Sequence, residues 1–395
     1  MTVTPAEADV AALKAGADRA MARADFRGAA ELLGQAAALA PRRLDLWLAR
    51  AAALRAAGDL EAALSALDQA LVADPRSFPA LLMKASLMER LGAPHGAGAA
   101  YATALSLAPP DDAMPGQMRA AVDHARDVYA RYQDELTQRL MESLSSAAAG
   151  PTARRLETFV DRLAGRRRVF HQDPVQFHYP GLPELEFHDR ERFPCLEPLE
   201  RATDDIRSEL IQLLDEDAGG LEPYVNYPDN APLDQWADLN RSAAWSAYHL
   251  WKDGEVIEDH ARRCPKTMAA IAALPQPKTA GRSPAAMFSV LSPRTRIPPH
   301  TGIANTRLVL HLPLIVPEGC GFRVGSETRP WKVGEAWVFD DTVEHEAWND
   351  SDEQRIILIC DVWNPYLSEE ERELVAQVMA AMDAFSGAAP GGAGL

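Results

Sequence analysis

Three prolines constrain the front of this chain more tightly than any other feature. Pro41, Pro75 and Pro109 stand 34 residues apart. Gly58 and Gly92 keep that spacing, with Ala24 one period earlier. Ala17, Ala51 and Ala85 repeat in phase, as do Ala29, Ala63 and Ala97, and Ala36, Ala70 and Ala104; Leu13, Trp47 and Leu81 fill one larger apolar position. A fixed period of this length predicts stacked helix–turn–helix units. Small residues let paired helices approach, glycine relaxes the turn between them, and proline closes the second helix. A generic alanine-rich bundle would share the helical periodicity but not prolines in register. Pro115 to Leu144 reads as a further helix capping the array.

Residues 1–144 are thus expected to form an all-α repeat domain and 145–152, rich in serine, alanine and glycine, a linker. A second domain is expected over 153–385, with a flexible tail at 386–395. Thr152 to Arg168 reads as a helix whose basic end, Arg166 to Arg168, is solvated and favoured by the helix dipole. Glu197 to Leu214 reads as one amphipathic helix. Short strands follow: Trp245 to Trp251, Ala286 to Leu291, Arg307 to Leu314, Gly321 to Val324, Ala336 to Phe339, His345 to Trp348 and Arg355 to Val362. Turn signals separate them, among them Lys252-Asp253-Gly254, Pro298-Pro299 and Val333-Gly334-Glu335. The fold class expected is α+β: a helical repeat array, then a double-stranded β-helix (a cupin-like jelly-roll barrel) with flanking helices.

A formal charge of −17 argues against a general nucleic-acid binder, which needs basic surface for phosphates. No run approaches the roughly 20 apolar residues of a membrane span, and the first residues lack a secretory signal, so the cytoplasm is the expected compartment. Cys195, Cys264, Cys320 and Cys360 are scattered without a CxxC pair, and free thiols are expected.

Chemistry concentrates in the strand-rich half. His300 and His345 lie on separate segments, and Arg355 enters the apolar run Ile356 to Cys360. Two imidazoles with an arginine on the next strand can hold an iron ion and the carboxylates of a keto-acid. The common iron triad has a carboxylate two residues after its first histidine; here that position is Gly302. Glu344 and Glu346 alternate with His345 and point away from it if the segment is extended. An arginine entering a buried strand is costly unless an anion meets it. The alternative for Arg355 is an internal salt bridge. Arg307 and His311 share one parity and face one side, plausibly a cavity, with Leu308 and Leu310 on the other. Ser289 is a weaker candidate to hydrogen-bond a cosubstrate.

Several stretches together resemble the aspartyl/asparaginyl β-hydroxylase family: Tyr179-Pro180-Gly181-Leu182-Pro183, Leu250-Trp251-Lys252-Asp253-Gly254, His300-Thr301-Gly302, Phe339-Asp340-Asp341, His345-Glu346-Ala347-Trp348 and Asp361-Val362-Trp363-Asn364-Pro365. The resemblance covers about Phe187 to Leu367, and the 34-residue period ahead of it is that of the tetratricopeptide repeat. It implies a 2-oxoglutarate-dependent dioxygenase whose iron(II) is held by His300 and His345 alone. It further implies cosubstrate contacts from Ser289, His311 and Arg355, and Arg307 as the active-site arginine that recognises an acidic substrate. A second family arginine corresponds to Val309 here, a departure from the animal members' peptidyl-aspartate site. The activity implied is hydroxylation of an Asp or Asn β-carbon in a peptide or small acid. Alternatives are hydroxylation of a lipid acyl chain or free amino acid, a halide in the missing carboxylate position, or an inactive barrel serving a docking array. The repeat groove would receive a peptide or protein partner.

Overall fold

The computed structural model describes residues 5–114, 116–143, 151–216, 220–279 and 281–386. It divides into two compact units, Met1–Arg167 and Arg168–Leu395. In the first, three helix pairs follow one another: α1 Pro5–Ala22 with α2 Phe26–Leu39, α3 Leu44–Ala56 with α4 Leu60–Ala73, and α5 Phe78–Arg90 with α6 Pro94–Leu105. All nine alanines of the three in-phase triplets are fully buried, because only a methyl fits where the helix axes approach. The turns within the pairs place Ala24, Gly58 and Gly92 in the left-handed region at φ 59°, 80° and 75°. That conformation explains the glycines and makes Ala24 a strained member of the series. Asp25 and Asp59 then cap α2 and α4, accepting from the amides of Gly28 and Ala62 at 3.0 and 3.1 Å.

The capping helix is α7, Gly116–Ser143. A helix follows, α8 Pro151–Leu163, but it belongs to the repeat unit rather than to the second domain. Arg166 lies past its end and joins Asp134 of α7 at 3.0 Å, while Arg167 joins Asp161 at 2.9 Å. Ion pairs, rather than the helix dipole, hold that basic end, and the division between units falls after Arg167. Most of the expected linker and the expected tail from Gly387 onward lie outside the described residues.

The second unit contains two antiparallel sheets. The larger runs β1 (Glu222–Pro223), β2 (Trp245–Lys252), β4 (Ala286–Leu291), β11 (Arg355–Trp363), β6 (Arg307–Ile315) and β9 (Trp337–Phe339), with β3 (Glu255–Val256) beside β2. The smaller runs β5 (Thr295–His300), β10 (His345–Asn349), β7 (Cys320–Val324) and β8 (Glu327–Arg329). Alternation decides which face does what. Leu308, Leu310, Leu312 and Leu314 of β6, with Phe288, Ile356 and Leu358, join a core shared with α9 (Leu196–Arg201), α10 (Thr203–Glu216) and α12 (Pro265–Ile271), while α11 (Glu258–Arg263) lies beside β2. Val309, Phe322, Phe339 and Ala347 form a second core joining the two sheets. The helix α13, Glu369–Ser386, ends the described chain. No helix of the described residues is long and apolar enough to cross a membrane.

Two expectations need correction. The single helix over Glu197–Leu214 breaks at Ala202, where the Thr203 hydroxyl donates to the Glu200 carbonyl at 2.6 Å and restarts the chain as α10. Pro298-Pro299 is not a turn but part of β5. This strand lies at a sheet edge, where an amide-free residue forfeits no ladder bond.

Candidate active site

The pairing of β5 with β10 sets His300 opposite His345, with ring centroids 4.0 Å apart. Each Nδ1 faces a carbonyl two residues earlier in its own chain: Pro298 O at 2.8 Å for His300 and Val343 O at 3.1 Å for His345. A carbonyl only accepts, so each Nδ1 carries the proton and each Nε2 keeps a free lone pair. Burial, helped by the neighbouring His345, pushes His300 down to about 3, and burial pushes His345 down to about 4. Both rings are therefore neutral at pH 7, the form that binds a metal.

Nothing else joins the pair. Glu344 and Glu346 turn away, and both bind Arg323, at 2.9 and 2.5 Å. A side chain at residue 302 would collide with the Asp341 carboxylate, so the usual third ligand has no room. Among the described residues no three His, Cys, Asp or Glu side chains converge as a metal group.

The two histidines open into a cavity of about 70 Å³ that also receives Ser289, Arg307, His311 and Arg355. All six residues singled out from the sequence thus meet in one space. Arg355 is only 2% exposed and stands 5.7 Å from the Trp331 ring centroid. Among the described residues no carboxylate pairs with it, so the internal salt bridge is absent. Burial pushes it down to about 10, which leaves it charged at pH 7. On the adjacent β4, Ser289 accepts a 3.1 Å bond from the Trp245 indole, so its own proton is free to donate into the cavity. His311 stacks beside Trp331 at 5.6 Å with its Nδ1 unpartnered, and burial together with Arg355 holds the ring neutral.

Arg307 is different. It meets Asp341 at 3.2 Å, and Asp361, held by Ser283 and the Ala285 amide at 2.6 and 2.8 Å, adds a second negative charge nearby. Arg307, Tyr224, Ala285 and Met287 also border a roomier chamber of about 440 Å³. That chamber's other two lysine or arginine cations are paired as well: Lys252 with Glu222 at 2.9 Å and Arg282 with Asp383 at 2.5 Å. Aromatic rings supply much of its wall, including Phe177, Tyr227, Trp251 and Trp363.

Reading the sequence missed the aromatic wall and Asp341. Tyr224 stacks on Trp245 at 4.0 Å, and Trp236 meets His300 edge-on at 5.0 Å. Asp341 read only as a turn residue, since no local pattern ties it to Arg307.

Residues 200–365 match the family described as Aspartyl/Asparaginyl beta-hydroxylase, and residues 44–87 match the Tetratricopeptide repeat. The mouse aspartyl/asparaginyl beta-hydroxylase is 35% identical over 175 residues, covering 44% of this chain and 22% of that protein. The human one is 38% identical over 136 residues, covering 34% and 18%. This chain therefore spans about a fifth of the length of those relatives. The ornithine lipid ester-linked acyl 2-hydroxylase of Rhizobium tropici is 31% identical over 217 residues, covering 53% of this chain and 73% of that protein. Among solved structures, the Sgt2 tetratricopeptide domain of Aspergillus fumigatus is 25% identical, covers 38% of this chain and 95% of its own, and has a TM-score of 0.28.

Proposed function

Because the chain belongs to the aspartyl/asparaginyl beta-hydroxylase family, and is a hydroxylase on that ground, we propose that it works with iron(II) and 2-oxoglutarate. The observation that carries this reading is Arg355, a buried cation with no carboxylate partner in a cavity shared with two neutral histidines. The residues present fit both groups. His300 and His345 would hold the metal through Nε2, their Nδ1 protons being committed to backbone carbonyls. Arg355 and the Ser289 hydroxyl would take the far carboxylate of the dicarboxylate, a two-pronged match for a guanidinium. Iron(II), 2-oxoglutarate and dioxygen together convert an unactivated C–H bond to C–OH, releasing succinate and carbon dioxide. The protein's own part is orientation and exclusion of water, for which Val309, Ile357 and Ile359 line the cavity.

Two substrate classes fit the family: an Asp or Asn side chain in a peptide or small acid, and an acyl chain. Pairing of the chamber's lysine and arginine side chains favours the second, because Arg307 is already offset by Asp341 and Val309 adds no charge. The relative from Rhizobium tropici is named for an acyl substrate. The repeat unit is proposed to receive a peptide or protein partner. Titrating 2-oxoglutarate into the manganese(II)-loaded protein tests the cosubstrate reading. Saturable binding, lost in Arg355→Ala, is expected; equal binding by both proteins overturns it.

A further inference from the structure

The segment just ahead of the barrel is threaded across both metal-ligand loops. The Asp173 amide donates to Thr342 O at 2.8 Å, within the loop that leads into His345. The Val175 amide donates to Gly302 O at 2.9 Å and the Phe177 amide to Ile303 O at 2.9 Å, in the loop that leaves His300. A third set of bonds runs through side chains. Gln172 Nε2 donates to Asp340 Oδ2 at 2.5 Å, while Gln172 Oε1 accepts from Asn305 Nδ2 at 2.9 Å. Both ends of the amide are thus used, one on each loop, and the residue is 9% exposed.

We propose that Gln172 is a positioning residue for the metal pair, clipping the His300 loop to the His345 loop so that the two Nε2 lone pairs converge. The far ends of the clip are themselves fixed. Asp340 Oδ1 accepts from the Thr342 amide and hydroxyl at 2.9 and 2.6 Å. Asn305 Oδ1 accepts from the Tyr179 amide at 2.7 Å, and Asn305 Nδ2 also donates to Tyr179 O at 2.9 Å. A site with two protein ligands has no third side chain to correct a misplaced ring. The separation of the loops therefore sets the affinity. A fully used amide fits that task because each of its atoms has one available partner and slippage would leave a buried donor or acceptor empty.

The inference rests on His300 and His345 being the metal ligands, and cobalt(II) binding to the full-length protein separates the two. Gln172→Met keeps the side-chain length and removes both bonds. In folded protein, confirmed by circular dichroism, it should weaken cobalt(II) binding by roughly ten- to a hundredfold and alter the visible cobalt spectrum. Glu184→Gln is the control, since Glu184 binds the Gln172 amide nitrogen at 3.3 Å and His171 at 2.8 Å without touching the bridge. It should leave cobalt affinity unchanged. If Gln172→Met does not fold, Gln172→Asn, one methylene too short to span both loops, replaces it with the same expectation. Unchanged cobalt affinity in the folded Gln172 variant overturns the clip, as does equal weakening in Glu184→Gln. Absence of saturable cobalt binding by the unaltered protein overturns the metal reading itself.

Discussion

Replacing Arg355 with methionine should stabilise the ligand-free protein while destroying its response to 2-oxoglutarate. The guanidinium is 2% exposed and lies at about 10, well below the ordinary arginine value, because burial removes it from water without supplying an anion. A displacement of that size corresponds to about 3 kcal/mol of unfavourable charge burial. Methionine is similar in length, apolar and adaptable, so it fills most of the same space and recovers most of that energy. Imperfect packing would take back about 1 kcal/mol, leaving a gain of about 2 kcal/mol. For the bound state the sign reverses. A desolvated pair stripped of its cation costs about 3–5 kcal/mol, so 2-oxoglutarate should bind at least a hundredfold more weakly. Urea denaturation of both proteins, with and without saturating 2-oxoglutarate, reads both effects. A less stable ligand-free variant that keeps its 2-oxoglutarate affinity would refute the reasoning, because Arg355 would then be a structural cation.

Further outcomes follow from other parts of the fold. His345→Ala should abolish iron binding, whereas Glu344→Ala and Glu346→Ala should retain it, since both glutamates bind Arg323; iron loss in a folded glutamate variant, measured by metal analysis, contradicts the two-histidine site. Ala24→Gly should raise stability by about 1 kcal/mol, because Ala24 sits at φ 59° where Gly58 and Gly92 hold the matching turns; a lower melting temperature contradicts this. His188 is 5% exposed and burial lowers it to about 4 from 6.5, so the unfolded chain takes up a proton that the folded one refuses. Its contribution is complete above pH 6.5 and is lost as pH falls towards 4, by about 3 kcal/mol in all. His188→Phe should flatten that acid limb in denaturation curves compared at pH 7 and 5.

The repeat was legible because its signal is a period. One methyl-sized position recurring at 34 residues leaves few packings, and the buried alanines obey it. The strands bearing Ser289, Arg307, His311 and Arg355 were legible because alternation alone assigns their faces. Strand β5 escaped notice since Pro298 and Pro299 read as breakers wherever sheet position is unknown, and only an edge forgives them. Asp341 and Gln172 escaped for a different reason. Asp341 meets Arg307 across strands, and Gln172 meets Asp340 168 residues away. Such contacts belong to tertiary structure and leave no periodic trace.

The most direct measurement of the central claim is succinate release under air from protein supplied with iron(II), 2-oxoglutarate and either candidate substrate, an acyl lipid or an acidic peptide. The account predicts succinate formation that requires both iron(II) and 2-oxoglutarate, rises with the true substrate, and vanishes in His300→Ala and His345→Ala. Iron-loaded, folded protein that releases no succinate with either substrate, or histidine variants that release as much as the unaltered chain, would contradict it.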